Sequence, residues 1–143
     1  MAGENKAVVR RVIEEIVNGG NLALADTLVA PNYIYHGPGG LEFRGPEGFR
    51  QLVSVYRTAF PDLRLTIDDI IAEDDKVVVR WTGRGTHRGD LAGIAPTGRS
   101  TTVTGMIISR LAEGKVVEDF ESFDELELLR QLGVTAIPAA AHA

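Results

Sequence analysis

An α+β fold, with helices first and a curved, mainly antiparallel sheet after them, is predicted by three features of the sequence. Apolar residues recur at helical spacing as far as Phe60, alternation and β-branched runs replace them from Leu63 to Phe123, and a short helical signal follows and closes on Gly133. A sheet of that length wrapped around the helices leaves an apolar cone, a shape suited to a small molecule.

Each element has its own warrant. Val8, Val9, Val12, Ile13, Ile16 and Val17 lay one apolar stripe along a first helix that Gly19 and Gly20 end. Asn21 is placed to cap a short second helix through Leu24, Leu28 and Val29, halted by Pro31. The segment around Tyr33 and Tyr35 is extended and runs into the turn-rich Gly37-Pro38-Gly39-Gly40. Pro46 suits the first turn of a third helix, whose face carries Phe49, Leu52, Val53, Tyr56 and Phe60 and which stops at Pro61. Beyond it, Leu63, Leu65 and Ile67 alternate towards a turn at Asp74-Asp75, and the β-branched "KVVVRW" returns as the second arm of a hairpin. A loop over "DLAGIAPTGRS", a strand "TTVTGMIISRL", the turn "AEGK" and a last strand "VVEDFESF" complete the sheet before the helix over "ELELLRQL".

Composition restricts the partners. The chain has 143 residues, 44% of them hydrophobic, which suits one compact domain over residues 1–135 with a flexible tail over 136–143. A formal charge of −5 without a basic cluster argues against nucleic acid. No apolar run approaches the length of a membrane span and the start lacks a signal-peptide core, so a soluble cytoplasmic protein is expected. There is no cysteine, and the three histidines include no i, i+4 pair, so no metal site is expected.

The stretches "AFPDLRLTIDDIIAEDDKVVVRWTGRGTHRGDLAGIAPTGRS" and "GMIISRLAEGKVVEDFESFDELELLRQLG" resemble the SnoaL-like polyketide cyclases, often labelled ester cyclases, of the NTF2-like superfamily. The similarity spans roughly residues 5–135 and is most specific at Ala59-Phe60-Pro61-Asp62, Gly85-Thr86-His87, Pro96-Thr97-Gly98 and Gln131-Leu132-Gly133. It implies a cone-shaped α+β barrel, a homodimer formed through the sheet, and an intramolecular aldol ring closure on a small apolar carbonyl compound with no metal or organic cofactor. It also implies that Asp124, at the junction of the last strand and the C-terminal helix, shuttles the proton. The chain departs from the family at Asp119-Phe120, where His-Trp is common, and at Phe123, where arginine often stands.

One carboxyl can take a proton from carbon flanked by carbonyls and return it to the oxygen formed, provided apolar surroundings raise its pKa. Asp124 is equally placed to cap the helix over "ELELL", the commoner role for an aspartate at that position. His36 and His87 are further acid–base candidates, each with a structural alternative: a solvated loop histidine for the first, a backbone-bonded one for the second. Tyr35, Tyr56, Phe60, Trp81, Met106 and Phe120 are the candidate substrate contacts, with Phe120 walling Asp124 on shared strand parity and Phe123 facing away. Arg110 and Glu118 are placed for a cross-strand pair. Two other readings stay open: epoxide hydrolysis, dehydration or double-bond isomerisation on the same fold, of which epoxide opening would need Arg80, Arg84 and Asp124 to converge in the pocket, and a non-catalytic ligand-binding module.

Overall fold

The computed structural model describes residues 2–134, and the tail expected over 136–143 lies outside the described residues. The first helix, α1 (Ala2–Arg11), continues as a π-helical segment, Val12–Asn18, whose wider turns bury Val12, Ile13 and Ile16. Gly20, at φ 72°, turns the chain into a single 3-10 turn, Leu22–Leu24, and α2 (Ala25–Leu28). Asn21 precedes that turn without making a side-chain cap. After β1 (Val29–His36), a 3-10 turn and the three-residue β2 (Glu42–Arg44), the longest helix, α3 (Gly45–Ala59), begins with Pro46 in its first turn, as its fixed φ favours. Then come β3 (Arg64–Glu73), β4 (Lys76–Thr86), β5 (Ser100–Ala112), β6 (Lys115–Phe123) and α4 (Glu125–Gln131).

The strands form one six-stranded sheet in the order β2-β1-β6-β5-β4-β3, with β2 and β3 as free edges, so it is not closed. All pairings are antiparallel except β1 with β6. The hairpin from β5 to β6 turns on Glu113 and Gly114, both at positive φ (52° and 76°), the twist-matched two-residue turn. The pair anticipated there forms, with Arg110 Nη2 3.2 Å from Glu118 Oε1.

One face of the sheet packs on the helices. On it lie the odd-numbered residues of β4 and β5, such as Val77, Val79, Trp81, Val103 and Leu111, while Met106, Ile108 and Phe120 are exposed on the other face. The motifs that carry the family resemblance act as scaffolding. Asp62 accepts from Thr86 N–H at 2.7 Å and from its hydroxyl at 2.8 Å, and Ala59 O receives the amides of Arg88 and Gly89. A Cβ on Gly85 would stand 2.8 Å from Phe60 Cβ, and one on Gly89 only 2.1 Å from Thr58 O, so both positions require glycine for close approach. Gln131 pairs through both amide atoms with the backbone of Thr102, each bond 2.8 Å, fastening α4 to β5.

Candidate active site

Between the inner face of the sheet and the helices lies a cavity of about 150 Å³. Its wall is overwhelmingly apolar, from Val12 and Ile13 of the π-helical segment to Tyr56, Phe60, Trp81 and Phe123. Two carboxyl groups, Asp119 and Glu121, interrupt it.

Their placement follows from strand geometry. Asp119, Glu121 and Phe123 share parity on β6 and all three point inward, while a register shift nearer the hairpin turn brings Val116 to the same wall. The parallel pairing brings β1 alongside, and the period of two on both strands repeats one contact twice: Tyr33 Oη donates to Asp119 Oδ2 and Tyr35 Oη to Glu121 Oε1, each at 2.6 Å. From β5, Ser109 Oγ donates to Asp119 Oδ1 at 2.5 Å. No lysine or arginine pairs with either carboxyl among the described residues. Burial therefore dominates and disfavours the ionised forms. It raises Asp119 to about 6 against the opposing Ser109 and Tyr33 hydrogen bonds. It raises Glu121 to about 7, against the Tyr35 bond and with help from the charge of Asp119. Asp119 is almost wholly inaccessible, whereas Glu121 keeps an intermediate exposure because it forms part of the cavity wall. Burial beside these carboxylates also drives Tyr33 and Tyr35 well above the ordinary phenol range, so both stay protonated donors.

Trp81 projects across the sheet from β4. Its six-membered ring lies where a Cβ on Gly83 would be 3.1 Å from Cζ3 and one on Gly105 only 2.5 Å from Cζ2, so two glycines make room for the indole. The ring reaches Phe123 on β6 (centroids 6.0 Å) and its N–H approaches Glu121 closely enough to favour the carboxylate. No hydrogen bond of normal geometry forms there, and Nε1 is buried without an acceptor.

Of the residues singled out from the sequence, Tyr35, Tyr56, Phe60 and Trp81 line the cavity. The three expected acid–base residues do not. Asp124 is exposed and caps α4, its Oδ1 accepting from Glu127 N–H at 3.1 Å. The reason is that the inward parity of β6 belongs to Asp119, Glu121 and Phe123, so Asp124 falls on the outward parity of Phe120 and Ser122, and the strand ends just before it. His36 faces outward, with Nε2 2.8 Å from Glu118 Oε2 and its ring stacked on Phe120 at 4.5 Å. His87 is wholly buried but serves the 87–99 loop: Nδ1 receives Thr97 N–H at 3.2 Å, and its own backbone bonds to Arg99 and Gly98. Met106 and Phe120 are likewise on the outer face, on the opposite parity from the cavity, and Phe123 occupies the inner wall instead. Arg80 is exposed and pairs with Asp68 at 3.7 Å, and Arg84, though largely exposed, contributes to the cavity wall; Arg80 and Asp124 do not, so the three do not converge.

Asp119 and Glu121 were absent from the sequence-based candidates. The available signal was the parity of two acidic residues with Phe123. The tyrosines that hold them are 86 residues away in the chain.

Comparison with known proteins agrees with this architecture. Residues 7–132 match the model of the SnoaL-like polyketide cyclase family. The chain is 34% identical over 134 residues to aklanonic acid methyl ester cyclase AcmA of Streptomyces galilaeus, covering 91% of each. Among solved structures it resembles IdmH from Streptomyces antibioticus, at 32% identity and a TM-score of 0.79, over 91% of this chain and 99% of that one. A SnoaL-like protein from Jannaschia sp. CCS1 shares the fold at a TM-score of 0.85 and 23% identity, over 96% of this chain and 95% of that one. The chain belongs to the SnoaL-like polyketide cyclase family, and the curated relatives AcmA, DnrD and DauD are aklanonic acid methyl ester cyclases.

Proposed function

We propose that this protein closes a ring by intramolecular aldol chemistry on a carbonyl compound, without a metal or organic cofactor, and that Glu121 rather than Asp124 carries the proton. The observation behind this reading is a carboxyl held in an apolar cavity by Tyr35 with its pKa raised to about 7. At that value it is a far stronger base than an exposed carboxylate and is still a competent acid near neutral pH. In the forward step the Glu121 carboxylate removes a proton from carbon flanked by carbonyls. The resulting enolate carbon attacks the second carbonyl of the same molecule, forming the C–C bond, and the alkoxide takes the proton back from the Glu121 carboxyl. The enzyme is unchanged after each turnover, and no electron acceptor is needed. Asp119, with both oxygens occupied by Tyr33 and Ser109, is a positioning residue whose charge holds Glu121 high.

The relative AcmA is named for acting on aklanonic acid methyl ester, so that compound is the first to test. A cavity of about 150 Å³ matches a single aromatic ring. Smaller enolisable esters bearing a second carbonyl therefore follow. The exposed Met106, Ile108 and Phe120 of the outer sheet face support a homodimer through that face.

The reading is tested by carboxyl-carbon NMR on labelled protein, with Glu121→Gln assigning the signal. A midpoint near 7 is expected, and one near the ordinary carboxylate value would remove the base.

A further inference from the structure

Among the residues lining the cavity, Trp81 carries a buried donor that makes no hydrogen bond of normal geometry to the protein. Trp81 Nε1–H is buried and unpartnered, whereas the Tyr33 and Tyr35 hydroxyls are committed to Asp119 and Glu121. Buried polar groups are nearly always satisfied, and an exception in a ligand cavity points to a partner that arrives with the ligand. The position of the indole narrows what that partner is. The Cε2–Cζ2 edge, next to Nε1, lies over Gly105, and Gly105 pairs with Phe123 one inward-facing row from the row of Ile107 and Glu121. The N–H thus stands beside the Glu121 carboxyl, within the same apolar wall.

We infer that Trp81 Nε1–H donates to the carbonyl oxygen of the substrate, next to the carbon that Glu121 deprotonates. This rests on the reading of Glu121 as the base and specifies the substrate it takes: an enolisable ketone or ester whose carbonyl carbon is bonded directly to the carbon that loses the proton. The N–H then stabilises the negative charge that moves onto that oxygen as the proton leaves, where a donor fixed in a dry site acts most strongly. An amine or hydrocarbon of the same size leaves the donor unpaired and is selected against.

The chain contains one tryptophan, so nitrogen-15-labelled protein gives one indole N–H signal, and that signal belongs to Trp81. The probes are acetophenone and isopropylbenzene, the hydrocarbon of the same outline. Acetophenone is expected to move the indole proton downfield at saturation, while isopropylbenzene binds without doing so. In Trp81→Phe the preference for acetophenone over isopropylbenzene is expected to fall by about tenfold, the loss of one hydrogen bond to a neutral carbonyl. An indole proton unmoved by saturating acetophenone overturns the inference, as does an unchanged preference in Trp81→Phe or the failure of acetophenone to bind. If Trp81→Phe does not fold, the wild-type indole shift decides alone. The two readings fail separately: an unmoved indole with Glu121 titrating near 7 removes the donor and leaves the base, and a moved indole with Glu121 titrating near 4.5 does the reverse.

Discussion

Glu121→Gln keeps an oxygen for Tyr35 to donate to and removes a carboxyl whose ionisation its surroundings oppose. The wild-type carboxyl ionises at about 7 when folded and near the ordinary glutamate value of 4.5 when unfolded. Between those values the folded state holds more protons than the unfolded state, so stability is greatest below about 4.5 and falls as pH rises through about 7. The difference between these two values corresponds to about 3 kcal/mol as an upper figure, because Glu121 forms part of the cavity wall and is not fully shielded from solvent. Urea unfolding at pH 5 and pH 8 reads the effect directly. Wild type is expected to lose stability between the two, and the variant to lose up to about 3 kcal/mol less. Asp119 remains in both proteins, so its contribution cancels to first order. An equal loss in wild type and variant would refute the claim that Glu121 is buried with a raised pKa.

Other expectations concern different parts of the molecule. Asp124→Ala removes the α4 cap and is expected to cost about 1 kcal/mol in a thermal or urea melt, while Asp124→Asn, which caps as well, is expected to cost almost nothing. Gly105→Ala places a Cβ 2.5 Å from Trp81 Cζ2 and 2.7 Å from Phe123 Cβ; it is expected to displace the indole, lowering stability by about 1–3 kcal/mol and changing the emission of the single tryptophan. Phe120→Asp puts a charge in the outer apolar patch, and light scattering at micromolar concentration is expected to give a dimer mass for wild type and a monomer mass for the variant. The pH dependence of kcat/KM is expected to rise through about 7, as Glu121 becomes the carboxylate that the carbon-acid step requires.

Much of the fold was legible because it is written in local periodicity. The stripe through Val9 and Ile16, the proline at the start of α3 and the turns at Asp74 and Glu113-Gly114 each act within a few residues. The parallel contact of β1 with β6 is not local, and it is the contact that builds the site. Nothing near Tyr33 or Tyr35 in the chain announces Asp119 or Glu121 as partners, and no periodicity reports a register across 86 residues. Asp124 drew attention by its position between strand and helix, where capping and catalysis call for the same residue type. Taking the parity of Asp124 as the cavity-facing one put Phe120 inside and Phe123 outside, the reverse of what forms. The resemblance at "AFPD", "GTH" and "QLG" located the fold well because those residues fasten the 87–99 loop and α4, and for the same reason it said little about chemistry.

The most direct test of the account compares turnover by Asp124→Asn and Glu121→Gln on one cyclisable substrate, with both variants shown to be folded. The account requires Asp124→Asn to keep nearly full kcat and Glu121→Gln to lose about a hundredfold or more, the usual contribution of a general acid–base group. Full activity in Glu121→Gln, with loss in Asp124→Asn, would contradict it and return the proton to the helix cap.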